Sequence, residues 1–169
     1  MYLRRYNNAK EQSTTNIGGN DMKDKTQTEN EMIQIITSEI GRFFKTQQKE
    51  RIDKLKILNQ DVQKGGILFT GSSLMEQFPI NELMMTENDP RIIYNRGVGG
   101  FTTADMLQNM DTMVFDTEPS KIFINIGTND IASADFSKEA LLNNYEEILS
   151  QIHKRLPDAA VYVDRKSVV

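Results

Sequence analysis

The stretch Ile67-Leu-Phe-Thr-Gly-Ser-Ser73 is a short apolar run that ends in a glycine and two serines. Its β-rich start and its bounding turn residues are typical of a buried strand. The same pattern recurs three times further along the chain, at 91–95, 121–126 and 160–163. Segments with helical signals separate these runs. Strands that alternate with helices favour a mostly parallel sheet with helices on both faces.

Helical periodicity is found in three segments, at 29–62, 102–110 and 137–156. In the first, apolar residues recur at helical spacing from Ile33 onward, and a pair of glycines follows its end. The last presents a single apolar face and is stopped by Pro157.

Domain organisation follows from where this periodicity starts. Residues 1–28 are polar and aperiodic, so we expect a disordered tail or leader. Residues 29–169 are expected to form a single α/β domain, because a chain of 169 residues suits one hydrophobic core.

The composition excludes several classes of protein. A net charge of -4 argues against nucleic acid as a partner, and the absence of cysteine excludes disulfides and thiolate zinc sites. No apolar run approaches the roughly 18 residues of a membrane span. The amino terminus has positive charges but no apolar stretch after them, unlike a secretory signal. We therefore expect a cytoplasmic protein without stable membrane insertion, and the oligomeric state stays open.

Polar, glycine-rich turns follow three of the predicted strands, at 70–74, 95–100 and 127–130. In a parallel sheet such turns lie at one edge and can form one site. The first offers a hydroxyl at a helix start, where backbone N–H groups are unpaired. The second offers glycines, which allow a close backbone approach, and the third offers an asparagine amide. A hydroxyl that faces several N–H donors is the layout for acyl transfer.

These turns resemble, in order, the first three sequence blocks of the SGNH/GDSL-type serine ester hydrolases. Gly71-Ser-Ser73 is similar to the family's Gly-Asp-Ser turn, with Ser72 in place of the usual aspartate. The resemblance implies that Ser73 is the nucleophile and that Gly100 and Asn129 are oxyanion donors. It covers about residues 64–163. The implied fold is a three-layer α/β/α, flavodoxin-like parallel sheet.

The family's last block, Asp-x-x-His, has no counterpart in this chain. The single histidine, His153, lies inside the last predicted helix and is interpreted as a residue of the helix surface or boundary. The resemblance therefore implies a C-terminally truncated chain that lacks the last strand and helix. Because the catalytic His and Asp would be missing, we expect its activity to be impaired.

The function implied by the resemblance is hydrolysis of carboxylic esters through an acyl-serine intermediate. Short acyl esters, acetylated carbohydrates and lysophospholipids are the candidate substrates, with no metal or organic cofactor. Two alternatives stay open, a non-catalytic binding protein or pseudo-enzyme fragment and a flavodoxin-like nucleotide binder. The spacing of a dinucleotide loop fails, because Thr102 stands where its third glycine belongs.

Simpler structural roles are also open for the residues in the turns. Ser73-Leu-Met-Glu76 fits a helix capping box, in which the serine and glutamate side chains bind each other's backbone N–H. The glycines at 97–100 could form only a tight turn. Asn129 and Asp130 could cap the next helix, although we favour Asn129 as a donor and Asp130 as its structural support.

Overall fold

The structure is a computed structural model that describes residues 17–87 and 90–164, with side chains from residue 27 onward. The chain divides into two compact units, with the division between Lys45 and Thr46. The first described part, 17–45, is entirely helical. The second, 46–164, contains the sheet and is the unit that carries the predicted turns.

Helices and strands alternate along the chain as predicted. The strands are β1 (Ile67–Gly71), β2 (Ile93–Gly97), β3 (Lys121–Asn125) and β4 (Ala160–Val163). The helices are α1 (Ile17–Leu58), α2 (Ser73–Glu76), α3 (Ile80–Thr86), α4 (Thr103–Gln108), α5 (Met110–Met113), α6 (Thr128–Ile131) and α7 (Lys138–Arg155). Short 3-10 turns follow α1 and α5, at Asn59–Asp61 and Phe115–Thr117.

The four strands form one parallel sheet in the order β2-β1-β3-β4. β1 lies between β2 and β3, in a register that sets Phe69 opposite Asn95 and Phe123. Because all strands run the same way, the turns that leave β1, β2 and β3 emerge at one edge. The predicted α/β class with a parallel sheet is confirmed.

The two faces of the sheet differ in how completely they are buried. On one face, Leu68, Ile122 and Ile124 are fully buried in a core that also contains residues of α1 and α7, such as Leu55 and Ile148. Successive side chains of a strand point to opposite faces. The neighbours of these residues therefore form the other face.

That other face carries a row of stacked aromatic rings. Phe123 stacks on Phe69 and on Tyr162, with ring centroids 4.7 and 4.8 Å apart, and Phe78 packs on Phe69 at 5.7 Å. Tyr162 remains 50% exposed. We call Phe78, Phe69, Phe123 and Tyr162 the aromatic row.

The first helix differs from its prediction at both ends. α1 begins at Ile17 rather than at 29, and it ends at Leu58 rather than at 62. The prediction relied on the apolar stripe, but a nucleated helix extends through polar residues by adding one backbone hydrogen bond per residue. The predicted tail, 1–28, is thus helical from Ile17, while 1–16 lie outside the described residues.

The compact unit that contains the sheet begins at Thr46, within α1. From residue 27, where the described side chains begin, the apolar residues of α1 before this point are exposed, among them Ile33, Ile36 and Ile40. Helical spacing predicted their shared face, but spacing does not determine whether a face is covered.

Candidate active site

The turn after β1 places its two serines in different environments. Ser72 precedes α2 and is buried, and its backbone N–H donates to the carbonyl of Asn125 at 2.9 Å. Ser73 is the first helical residue and is only half-buried. Of the two hydroxyls, that of Ser73 is therefore the one open to a ligand.

The capping-box interpretation of Ser73 and Glu76 is wrong. The residue before α2 is Ser72, and no side-chain bond caps this helix. The carboxylate of Glu76 instead accepts a hydrogen bond from the N–H of Gly99, with Oε2 and N 2.6 Å apart. Glu76 thus ties the serine turn to the glycine turn instead of closing its own helix.

The glycine turn after β2 packs directly against α2. A Cβ built on Gly97 would lie 2.2 Å from the backbone nitrogen of Glu76, so a larger residue would separate β2 from the helix. A Cβ on Gly99 would lie 4.0 Å from Cβ of Ser73. Gly100 has φ of 74°, a conformation that L side chains rarely adopt. The serine and glycine turns are therefore neighbours.

The turn after β3 is bonded to the glycine turn. The side-chain amide of Asn129 donates to the carbonyl of Phe101 at 2.8 Å. Asp130 accepts from the backbone N–H of Thr103 at 3.0 Å, and also from the hydroxyl of that residue. The structure thus brings together the three turns that the sequence predicted to converge, and Asp130 supports the start of α4.

Three donor groups in these turns retain a free hydrogen. Among the described residues, the backbone N–H groups of Ser73 and Gly100 bond to no acceptor. The amide nitrogen of Asn129 carries two hydrogens, and the bond to Phe101 uses one of them. Unpaired donors fixed beside a hydroxyl can stabilise negative charge on an oxygen that forms there.

His153 does not belong to this cluster. It is exposed and lies in the last turn of α7. α7 leads from the turn after β3 back to the start of β4, so its last turn lies at the opposite edge of the sheet. The prediction that His153 is a helix-surface residue is confirmed. The described residues also contain no group of three or more His, Asp or Glu side chains arranged to hold a metal ion.

Sequence reasoning missed the side chains of α1 that bind the glycine turn. Gln48 Nε2 donates to the carbonyl of Gly99 at 3.0 Å, and Arg51 Nε donates to that of Gly97 at 3.2 Å. The same Arg51 nitrogen lies 3.3 Å from a carboxylate oxygen of Glu76. In the sequence both residues stand in a run of polar and charged side chains, and no local pattern distinguishes them from their neighbours.

A parallel α/β sheet with serine, glycine and asparagine turns at one edge is the arrangement of the SGNH hydrolases. The profile of the GDSL-like Lipase/Acylhydrolase family matches residues 71–168, which is more than half of the chain. The chain therefore belongs to this family, whose general chemistry is ester hydrolysis. A search of the curated proteins finds no match.

Solved structures are similar to this chain in fold. The chain is 31% identical to a proposed platelet activating factor from Streptococcus pneumonia, with a TM-score of 0.69, over 76% of this chain and 59% of that one. A GDSL-like lipase from Bacteroides thetaiotaomicron shares the fold at 17% identity and a TM-score of 0.56, over 66% and 56% of the two chains. The esterase EstA from Pseudoalteromonas shares the fold at 18% identity and a TM-score of 0.50, over 57% of each chain.

The chain therefore spans less than two thirds of the length of each of these proteins. Among the described residues, no helix combines the length and the apolar character that crossing a bilayer requires.

Proposed function

We propose that this chain supplies the nucleophile and the oxyanion donors of a serine ester hydrolase. The observation that carries the proposal is the half-buried Ser73 at the start of α2, beside the unpaired N–H groups of the serine and glycine turns. In this proposal Ser73 Oγ is the nucleophile. The N–H groups of Ser73 and Gly100 and the amide of Asn129 bind the oxyanion.

The reaction proceeds in two halves. Ser73 Oγ attacks the ester carbonyl, and the carbonyl oxygen takes up negative charge that the three donors stabilise. Collapse of this intermediate expels the alcohol and leaves an acyl-serine, which water then cleaves to the acid and free enzyme. The serine proton must leave during attack. Since His153 lies at the far edge, this proton passes to water.

The expected rate is therefore low. A serine nucleophile that lacks its histidine base loses several powers of ten in rate. Esters with good leaving groups make the smallest demand on a base. We propose small acyl esters, including acetylated carbohydrates, as the substrate class, with no cofactor.

The test is hydrolysis of p-nitrophenyl acetate by the chain, by Ser73→Ala and by the matched control Ser72→Ala. We expect Ser73→Ala to lower the hydrolysis rate, after subtraction of the blank, at least tenfold, because the attacking oxygen is removed. Ser72→Ala should keep most of the activity, because this buried serine precedes the helix. Equal rates for the wild type and Ser73→Ala would contradict the proposal.

A second function is favoured by the position of His153. A chain whose only histidine lies away from the nucleophile could bind an ester or sugar without turnover. Hydrolysis no faster than the blank in both the wild type and Ser73→Ala, together with saturable ester binding measured by calorimetry, would support this function over the first.

A further inference from the structure

The glycine turn is held by side chains from a part of the chain that the family profile does not cover. Gln48 and Arg51 belong to α1, whereas the profile begins at residue 71. Both residues lie in the same compact unit as the sheet. Their bonds to the carbonyls of Gly99 and Gly97 join two segments about fifty positions apart in sequence.

The bond from Gln48 determines more than the direction of one carbonyl. A trans peptide is planar, and its C=O and N–H point in opposite directions. None of the described peptide bonds is cis. The carbonyl of Gly99 and the N–H of Gly100 belong to the same peptide unit. When Gln48 holds the Gly99 oxygen towards α1, the Gly100 N–H must point away from α1.

The preceding peptide unit is held by Glu76. Its N–H, on Gly99, donates to Glu76 at 2.6 Å, and Glu76 is in turn paired with Arg51. The Gly99 N–H is therefore occupied, while that of Gly100 bonds to no acceptor among the described residues. Only one of these two adjacent donors remains available to a ligand.

Gln48 also lies directly against Gly100. A Cβ built on Gly100 would lie 2.8 Å from Gln48 Nε2, so the absence of a side chain there makes room for the amide. A hydrogen bond to a peptide carbonyl also polarises the peptide, which strengthens its N–H as a donor.

We infer that Gln48 is a positioning residue that aims and strengthens the Gly100 N–H as an oxyanion donor. The inference rests on the proposed role of Gly100 in ester hydrolysis. Arg51 and Glu76 assist by fixing the preceding peptide. Gln48 itself acts through Gly100 and does not touch the reacting atoms.

The test compares Gln48→Met, which keeps the side-chain length but loses the donor, with Gln48→Lys, which retains a donor of similar reach. The matched control is Gln47→Met, the same change at the exposed neighbouring glutamine. For p-nitrophenyl acetate we expect kcat of Gln48→Met to fall about tenfold with KM unchanged, less than the 10²–10³-fold loss of a whole oxyanion donor. Gln48→Lys should recover most of the loss, and Gln47→Met should match the wild type.

A second measurement does not depend on turnover. Residual dipolar couplings of backbone amides report the direction of each N–H bond in the free protein. We expect the Gly100 coupling to differ between the wild type and Gln48→Met by at least twice the scatter of the same differences over the amides of β1 and β3. In Gln47→Met the difference at Gly100 should stay within that scatter. An unchanged Gly100 coupling in Gln48→Met would overturn the inference, whatever the activity.

The two measurements separate the inference from the proposed function. If the wild type shows no Ser73-dependent hydrolysis but the coupling changes as expected, the proposed function fails and the positioning of Gly100 by Gln48 stands. If Ser73-dependent hydrolysis is present and Gln48→Met alters neither kcat nor the coupling, the proposed function stands and the inference fails.

Discussion

Single residues of similar chemistry receive different roles from their burial. Ser72 and Ser73 are adjacent and identical, yet Ser72 is enclosed beneath the strand ends and Ser73 faces the glycine turn. Gln47 and Gln48 show the same contrast, since only Gln48 reaches a backbone carbonyl of the site. At this scale the direction in which a side chain leaves its element decides what it can do.

Tyr145 packs against the start of the asparagine turn, at Ile126 and Gly127. It is buried, its hydroxyl donates to the carbonyl of Ile126, and its ring lies 3.4 Å from where a Cβ on Gly127 would be. Burial, and next the negative charge of Asp130, raise the pKa of Tyr145 from 10.0 to about 12. Ionising this hydroxyl would place a charge in the core and remove the donor.

We expect the pKa of Tyr145 to make stability depend on alkaline pH. The folded pKa lies above the unfolded one, so this contribution is complete below pH 10 and is lost as pH rises towards 12. Tyr145→Phe should lower the free energy of unfolding at pH 8 by about 1–3 kcal/mol, because the Ile126 carbonyl loses its partner. The free energy of unfolding should also fall less between pH 8 and pH 11 in this variant than in the wild type. Urea unfolding at pH 8 and pH 11 measures both effects.

Tyr162→Phe is the matched control, since Tyr162 is 50% exposed and the substitution keeps the stacked ring. A loss of stability as large as that of Tyr145→Phe would show that any tyrosine hydroxyl matters equally, contrary to this prediction.

Among the elements, α1 has two parts with different energetic roles. Ile52 and Leu55 are buried in the core, and Gln48 and Arg51 bind the glycine turn. Earlier in the helix, apolar residues such as Ile36 are exposed. The apolar residues of this single helix are thus divided between buried and exposed positions.

Truncation of matched apolar residues distinguishes these parts. Leu55→Ala should lower the free energy of unfolding by about 2–5 kcal/mol, because the side chain is fully buried and a cavity would remain. Ile36→Ala should change it by less than about 0.5 kcal/mol, because this side chain is 52% exposed. Urea unfolding followed by circular dichroism provides both values. Similar losses for the two variants would contradict the division.

At the scale of the whole sheet, one face and the edge formed by β4 are open among the described residues. The aromatic row is only partly covered, and β4 pairs with β3 alone. The N–H groups of Ala160 and Asp164 donate to the carbonyls of Ser120 and Ile124, towards β3. The alternating N–H groups of Val161 and Val163 therefore point to the open edge. An uncharged apolar edge strand of this kind favours pairing between chains.

We expect the purified chain to self-associate as its concentration rises, through the edge of β4. Val163→Lys should weaken this association, because a charge on an edge strand opposes pairing. Leu142→Lys adds the same charge at an exposed apolar position of α7, and it should leave association unchanged. Sedimentation velocity over a concentration series is the measurement. Equal effects of both substitutions would indicate general charge repulsion instead of edge pairing.

The amino-acid sequence by itself determined the fold class and which three turns meet at one edge of the sheet. Four β-rich runs, each bounded by turn residues, were sufficient for the parallel sheet, because alternation of strands and helices leaves few topologies. The order of the turns around Ser73, Gly100 and Asn129 was sufficient to predict the family. Local patterns carry this information, since turn residues and apolar periodicity are properties of neighbours in sequence.

Tertiary structure alone decided which parts of these patterns are used. It buried Leu55 and left Ile36 exposed, although both belong to the same stripe. It directed Glu76 to Gly99 instead of to its own helix start, and it brought Gln48 to the same glycine. The physical reason is that these contacts join segments about twenty to fifty positions apart, and no periodicity within either segment encodes which partner the other will meet.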